Sequence, residues 1–149
     1  MKTRRFFVVV MLLFASAAPL WGDDLAASVD LLKNRAAQGN ASAQATLGFM
    51  YDKGQGVPQA YAEALKWFRF AAAQGNADAQ FNLGVMHDKG DGGPQDYVQA
   101  HKWFNLAAAT HTKKEDRDKA VQARDEVAAL MTPAQLAEAQ KLAREWKKQ

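Results

Sequence analysis

Residues 37–72 and 73–108 carry one pattern twice, with a period of 36 and no gap, and 23 of the 36 positions are identical. The first copy reads AQGNASAQATLGFMYDKGQGVPQAYAEALKWFRFAA and the second AQGNADAQFNLGVMHDKGDGGPQDYVQAHKWFNLAA. A unit this short cannot bury an apolar face within itself, so successive copies must stack and share a continuous core. The chain is thereby held to an array of helical hairpins whose product is a surface. Function is to be sought on that surface rather than in a buried catalytic pocket.

Helix periodicity within the repeat predicts two helices per unit. Ala43, Leu47, Met50 and Tyr51 fall on one face, and Tyr61, Ala64, Trp67, Phe68, Ala71 and Ala72 form a second apolar stripe. Trp67 and Trp103 recur in phase with these alanines and read as core. Gly48 interrupts the first helix, where glycine costs about 1 kcal/mol relative to alanine. Its recurrence as Gly84 predicts a neighbour that approaches the backbone closely. Gly54-Gln55-Gly56-Val57-Pro58 supplies the turn, since its glycines accept positive φ and its proline resists extension of the helix before it. Gln-Gly-Asn at 38–40 and 74–76 closes one helix and caps the next. Asp96 with Gln99 approximates a capping box, whereas the first unit has only Ala60 at that place.

The array ends in partial units. Leu25 to Gln38 aligns with the second helix of a repeat. Beyond Ala109 the pattern drifts, with His111 in place of the closing glycine and a charged stretch from Lys113 to Lys119, before helix periodicity resumes at Ala120. Thr132-Pro133-Ala134-Gln135 is a helix start, and Leu136, Ala139, Ala143 and Trp146 mark the inner face of a last helix. The expected architecture is all-α, a right-handed solenoid of helical hairpins with about six helices after the signal, the C-terminal capping hairpin included. Its divisions are a targeting segment at 1–22, a half-repeat helix at 25–40, repeats at 41–76 and 77–112, and the capping hairpin at 113–149.

The first 22 residues read as an export signal. Lys2, Arg4 and Arg5 precede the uncharged run Phe6 to Phe14, and small residues follow at 15–18. The run is about half the length of roughly 20 apolar residues that a membrane span needs. Cleavage is expected after Ala17 or Gly22. Thr3 to Phe7 is a partial twin-arginine motif, but the strongly apolar core favours the general secretory route. The periplasm is the first destination to consider and secretion the second. Removal of the signal leaves 16 basic residues against 16 acidic ones, so the +3 formal charge belongs to the signal. The mature chain then has no net charge to draw it to nucleic acid, and no stable membrane insertion is expected of it. The absence of cysteine excludes a disulfide framework and a lipid-anchored cysteine.

The sequence resembles the Sel1-like repeat proteins, relatives of the tetratricopeptide arrays, in their short exported form. The resemblance rests on Ala-Gln-x-x-Leu-Gly-x-Met-Tyr/His at 43–51 and 79–87, on the turns at 54–59 and 90–95, and on Ala-x-Lys-Trp-Phe-x-x-Ala-Ala at 64–72 and 100–108. Gly93 stands where the family has an apolar turn residue, and His87 and His101 replace Tyr51 and Leu65 of the first unit. The resemblance implies a protein–protein interaction module, an adaptor that takes a protein or peptide partner. Alternatives are a structural subunit of an envelope assembly and an envelope hydrolase related to the β-lactam-binding branch, whose marking cysteines this chain lacks.

No catalytic set, cofactor or metal is expected. His87, His101 and His111 have no metal-ligand spacing, and two of them replace packing residues. Asp88 to Gly92 lacks the ligands of a calcium loop, and the paired glycines of the turns lack the Gly-Lys-Ser/Thr of a phosphate loop. What remains is the outer stripe of each first helix. Phe49 and Asp52 in one unit, and Phe81, Val85 and Asp88 in the next, are expected to line a concave partner-binding face, with the aspartates at its edge.

Overall fold

The computed structural model describes residues 24–149, so the expected signal and its cleavage site lie outside the described residues. Within them the chain forms seven helices and no strand. The first, α1, covers 24–37, followed by α2 (Ala41–Lys53), α3 (Tyr61–Ala73), α4 (Ala77–Lys89), α5 (Tyr97–Thr110), α6 (Lys114–Ala128) and α7 (Pro133–Glu145). The hairpins α2–α3 and α4–α5 stack in order, with α3 against α4 joining one unit to the next. This is an all-α solenoid of helical hairpins.

Local chemistry sets the helix limits. Asn40 and Asn76 accept the N–H of Ala43 and Ala79 at 2.8 and 2.9 Å, each satisfying one orphan donor of a first turn. Gly54 and Gly90 end α2 and α4 in the left-handed region, at φ of 67° and 77°. Thr132 and Gln135 complete a reciprocal capping box at α7. At α5 only half of the expected box forms. Asp96 accepts the Gln99 N–H at 3.0 Å, but the Asp96 N–H donates to the His87 carbonyl instead, so the glutamine is not needed.

The repeated glycines have the steric reason their recurrence suggests. A Cβ on Gly48 would stand 2.7 Å from Cδ1 of Phe68, and one on Gly84 2.7 Å from Cδ1 of Phe104. Both rings are fully buried, so each helix pair closes with an aromatic face laid on bare backbone. Overpacking of this kind costs typically 1–3 kcal/mol, which outweighs the roughly 1 kcal/mol that alanine would return as helix propensity.

Buried glutamines tie unit to unit. Gln44 donates to the Ala36 carbonyl at 3.0 Å and accepts from Gln74 at 2.8 Å. Gln80 repeats only the first half, donating to the Ala72 carbonyl at 3.4 Å, and its Oε1 is buried without a partner. The cause lies one repeat further on. Thr110 stands where Gln74 stood, and its hydroxyl donates to the Leu106 carbonyl. The second unit thus departs from the first at the point where the periodic array gives way to its end.

The C-terminal end is more helical than the charged stretch suggests. Glu115 and Asp116 lie in the first turn of α6, and Lys119 reaches back to Glu115 at 2.8 Å, so the charges open the helix rather than interrupt it. The half-repeat helix, the four helices of the two repeats and the capping hairpin together make seven among the described residues, one more than the expected count of about six. Both α6 and α7 take α5 as their principal neighbour. Trp146 meets Trp103 edge-on, with centroids 6.4 Å apart, and the Gln149 N–H donates to the Ala73 carbonyl at the end of α3. Trp103 is buried accordingly, whereas Trp67 is only half-buried, with Lys66 over its ring and Phe70 at its edge.

Candidate functional site

The helices α2, α4 and α6 line a row of adjoining hollows on one side of the stack. Between α2 and α4, Ala45, Thr46, Phe49, Asp78 and Asn82 surround about 450 Å³ over the buried face of Phe68. Further along the same pair, Asp52, Lys53, Asn82, Val85 and Lys89 border a smaller recess of about 100 Å³. Between α4 and α6, Asp78, Phe81, Asn82, His111, Asp116 and Lys119 enclose about 270 Å³. Asn82 belongs to all three, so the hollows form one continuous groove.

The sequence-predicted residues hold different places along it. Phe49 is the open aromatic, 42% exposed, with the Lys53 ammonium 5.9 Å from its ring centre. Asp52 is half-buried and pairs with Lys53 at 2.7 Å, which holds the lysine above its ordinary pKa range. Phe81 and Val85 are half-buried. Phe81 lies 5.4 Å from Phe104, centre to centre, and both pack on the cluster of Ala100, Phe104 and Val127. The rings of α4 are therefore shared between groove and core. Asp88 stands at the C-terminal end of α4, where its carbonyl accepts from Gln95 at 2.6 Å, and it lines none of the hollows. Sequence reasoning missed Asp78, Asn82 and Lys89. These fall with Val85 at i, i+4, i+7 and i+11, one helical stripe turned slightly from the one that runs through Phe81 and Asp88.

Charges of both signs edge the groove, with Asp52, Asp78, Asp91 and Asp116 set among Lys53, Lys89 and Lys119. Lys53 is engaged by Asp52, and Lys119 by Glu115 and Asp116. Asp78 projects into water with its side chain 81% exposed and stands 4.0 Å from His111 Nε2. The hollow between α2 and α4 has an aromatic wall and the exposed Asp78 carboxylate as its charged group, which suits a partner that brings an apolar and a cationic side chain together there.

Two histidines sit elsewhere and act on stability. His101 is only 4% exposed, takes the place of Leu65 in the first unit, and keeps Nδ1 without a partner. Burial lowers its pKa, Arg124 adds in the same direction and Asp125 opposes. Burial likewise lowers the pKa of His87, with Arg69 adding to it. In the unfolded chain these imidazoles protonate near about pH 6.5. Below that value, and above the lowered folded pKa, the unfolded state binds more protons, so stability is full above about pH 6.5 and falls with acidification. His101→Leu is expected to raise Tm at about pH 7.5, because an imidazole with a buried, unpartnered Nδ1 gives way to an apolar side chain, worth about 1 kcal/mol. It should also reduce the drop in Tm between about pH 7 and pH 5, leaving the part due to His87. Thermal melts across that range check both, and an unchanged acid slope in the variant would remove His101 from the account.

A family model described as Sel1 repeat matches residues 41–76 and 77–109. Two solved structures are similar to the chain. One, described as a protective antigen present in uropathogenic Escherichia coli strains displaying an SLR fold, is 32% identical with a TM-score of 0.73, over 79% of this chain and 24% of that one. The other, a Sel1 repeat protein from Oxalobacter formigenes, is 38% identical with a TM-score of 0.60, over 65% of this chain and 28% of that one. This chain thus spans about a quarter of the length of each. No curated protein matches it.

Proposed function

Since residues 41–109 are two Sel1 repeats in an all-α solenoid, a fold that commonly serves as a protein–protein interaction module, we propose that this chain is an adaptor that binds a polypeptide along the groove of α2, α4 and α6. The observation that carries the reading is Phe49, a large ring left open to water at the edge of a 450 Å³ hollow that also bears the exposed Asp78. The partner segment inserts an apolar side chain beside Phe49 and sets cationic side chains toward Asp78. Phe81 and Val85 shape the wall from the core side, and Asp52 and Asp88 add to the field around it. Among the described residues no helix is long and apolar enough to cross a membrane. The basic start and apolar run of residues 2–14 support export to the periplasm, and the similarity to a protective antigen agrees with exposure outside the cytoplasm.

Rim charges govern encounter more than residence. Asp78→Asn with Asp88→Lys is therefore expected to slow association with the partner by about tenfold at low salt, with a small change in the dissociation rate. The lysine at 88 sits favourably at a helix C-terminus, which offsets the charge that Asp78→Asn removes from the first turn of α4, and the melting temperature of the variant is measured beside its kinetics. The test uses mature chain recovered from a periplasmic extract, its start read by mass spectrometry, crosslinked to its partner and then followed by surface-binding kinetics. Association at the native rate in the charge variant, with no salt dependence, would turn the search away from this groove.

A further inference from the structure

The two repeats differ at one position of the turn, and the difference opens a cavity. In the first unit Val57 is buried at 9% exposure, and a Cβ on its neighbour Gly56 would stand 2.9 Å from Met50 Cε of α2 and 3.5 Å from Val29 Cγ2 of α1. Val57 is thus a buried side chain in a turn that stands close to α1. The second unit has Gly93 at that place. A Cβ built there would meet only Leu65 Cδ2, at 3.9 Å, so the space a side chain would fill is empty. The result is a cavity of about 340 Å³ between α3 and the second hairpin. Leu65, Met86 and Trp103 make its apolar floor, and these are the counterparts one repeat on of Val29, Met50 and Trp67. Arg69, His87 and Asp96 stand at its mouth.

We propose that this cavity is a second docking site, which takes one branched aliphatic side chain of a partner polypeptide. The occupant is argued from the molecule itself. At this place of the turn the first repeat buries a valine of its own, and the second sets Leu65, Met86 and Trp103 around a space that no side chain of the turn fills. The volume holds a leucine side chain with part of its backbone, and mouth groups of both signs can meet flanking peptide N–H and C=O groups. The site opens between α3 and the turn before α5, apart from the groove of α2, α4 and α6, and does not depend on it.

The test titrates isotopically labelled protein with N-acetyl-leucine methylamide and follows the Leu65 and Met86 methyl signals and the Trp103 indole N–H by NMR. Saturable shifts at all three are expected, with N-acetylglycine methylamide at least about tenfold weaker for want of a side chain to bury. Gly93→Val closes the site from within. It should weaken the leucine probe by about tenfold or more and raise Tm by about 4 °C. Gly93→Ala, which adds only the methyl group that meets Leu65, should show the same trend to a lesser degree, and serves if the valine variant misfolds. Phe49→Ala should leave the probe's affinity unchanged, which separates this site from the groove. Equal binding of the glycine and leucine probes, or undiminished binding in both Gly93 variants, would overturn the proposal. Free leucine binding more than about tenfold tighter than the blocked probe would also overturn it, by making the occupant a free amino acid held at both its charges.

Discussion

Leu83→Asp is expected to abolish cooperative folding. Leu83 is 0% exposed and sits in the central cluster with Phe68, Ala79, Met86 and Trp103, where the two hairpins meet. An unpaired carboxylate there has no hydrogen-bond partner and no route to water, and the leucine contacts are lost with it. The combined cost is about 5 kcal/mol or more, against a total stability of roughly 5–15 kcal/mol for a domain of this kind. A solenoid has no other core to fall back on, because each unit is held only by its neighbours. Circular dichroism should show lost helix and no sigmoidal melt. A variant that melts cooperatively at the native temperature would mean that α4 does not turn Leu83 into the seam.

Phe49→Ala is expected to carry the largest loss of binding. Truncation of an aromatic anchor at the centre of an interface costs about 2 kcal/mol or more, roughly a thirtyfold weaker affinity, and appears mainly as faster dissociation. The ring is already part-solvated in the free protein, so the melting temperature should hardly move. Phe81→Ala is a different experiment. It strips a ring from Phe104 and from the cluster with Val127, so stability should fall as well. Partner capture by the Phe49→Ala protein at native affinity, measured by calorimetry, would remove the groove as the binding surface.

The period of 36 residues is a local record, and what depends on local chemistry could be read from it: the hairpins, the turns, the caps at Asn40, Asn76 and Thr132, and the need for bare backbone at Gly48 and Gly84. The helical stripe through Phe49 and Asp52 was likewise legible, because spacing along one helix fixes which side chains share a face. Exposure was not. Phe49 faces water, while Phe81, only four residues short of the same place in the next unit, shares its ring with Phe104. The two copies carry nearly the same residues but have different neighbours, α1 before the first and α6 with α7 after the second. Gln44 accepts from Gln74 where the Oε1 of Gln80 has no partner, and Val57 is buried where Gly93 leaves a hollow. By itself the sequence determined the repeating hairpin and the chemistry of its ends, since these need only residues close along the chain. Tertiary structure decided which copies of the same side chain are core, groove or cavity wall, because burial depends on the helix packed opposite, and in a short array no two units have the same one.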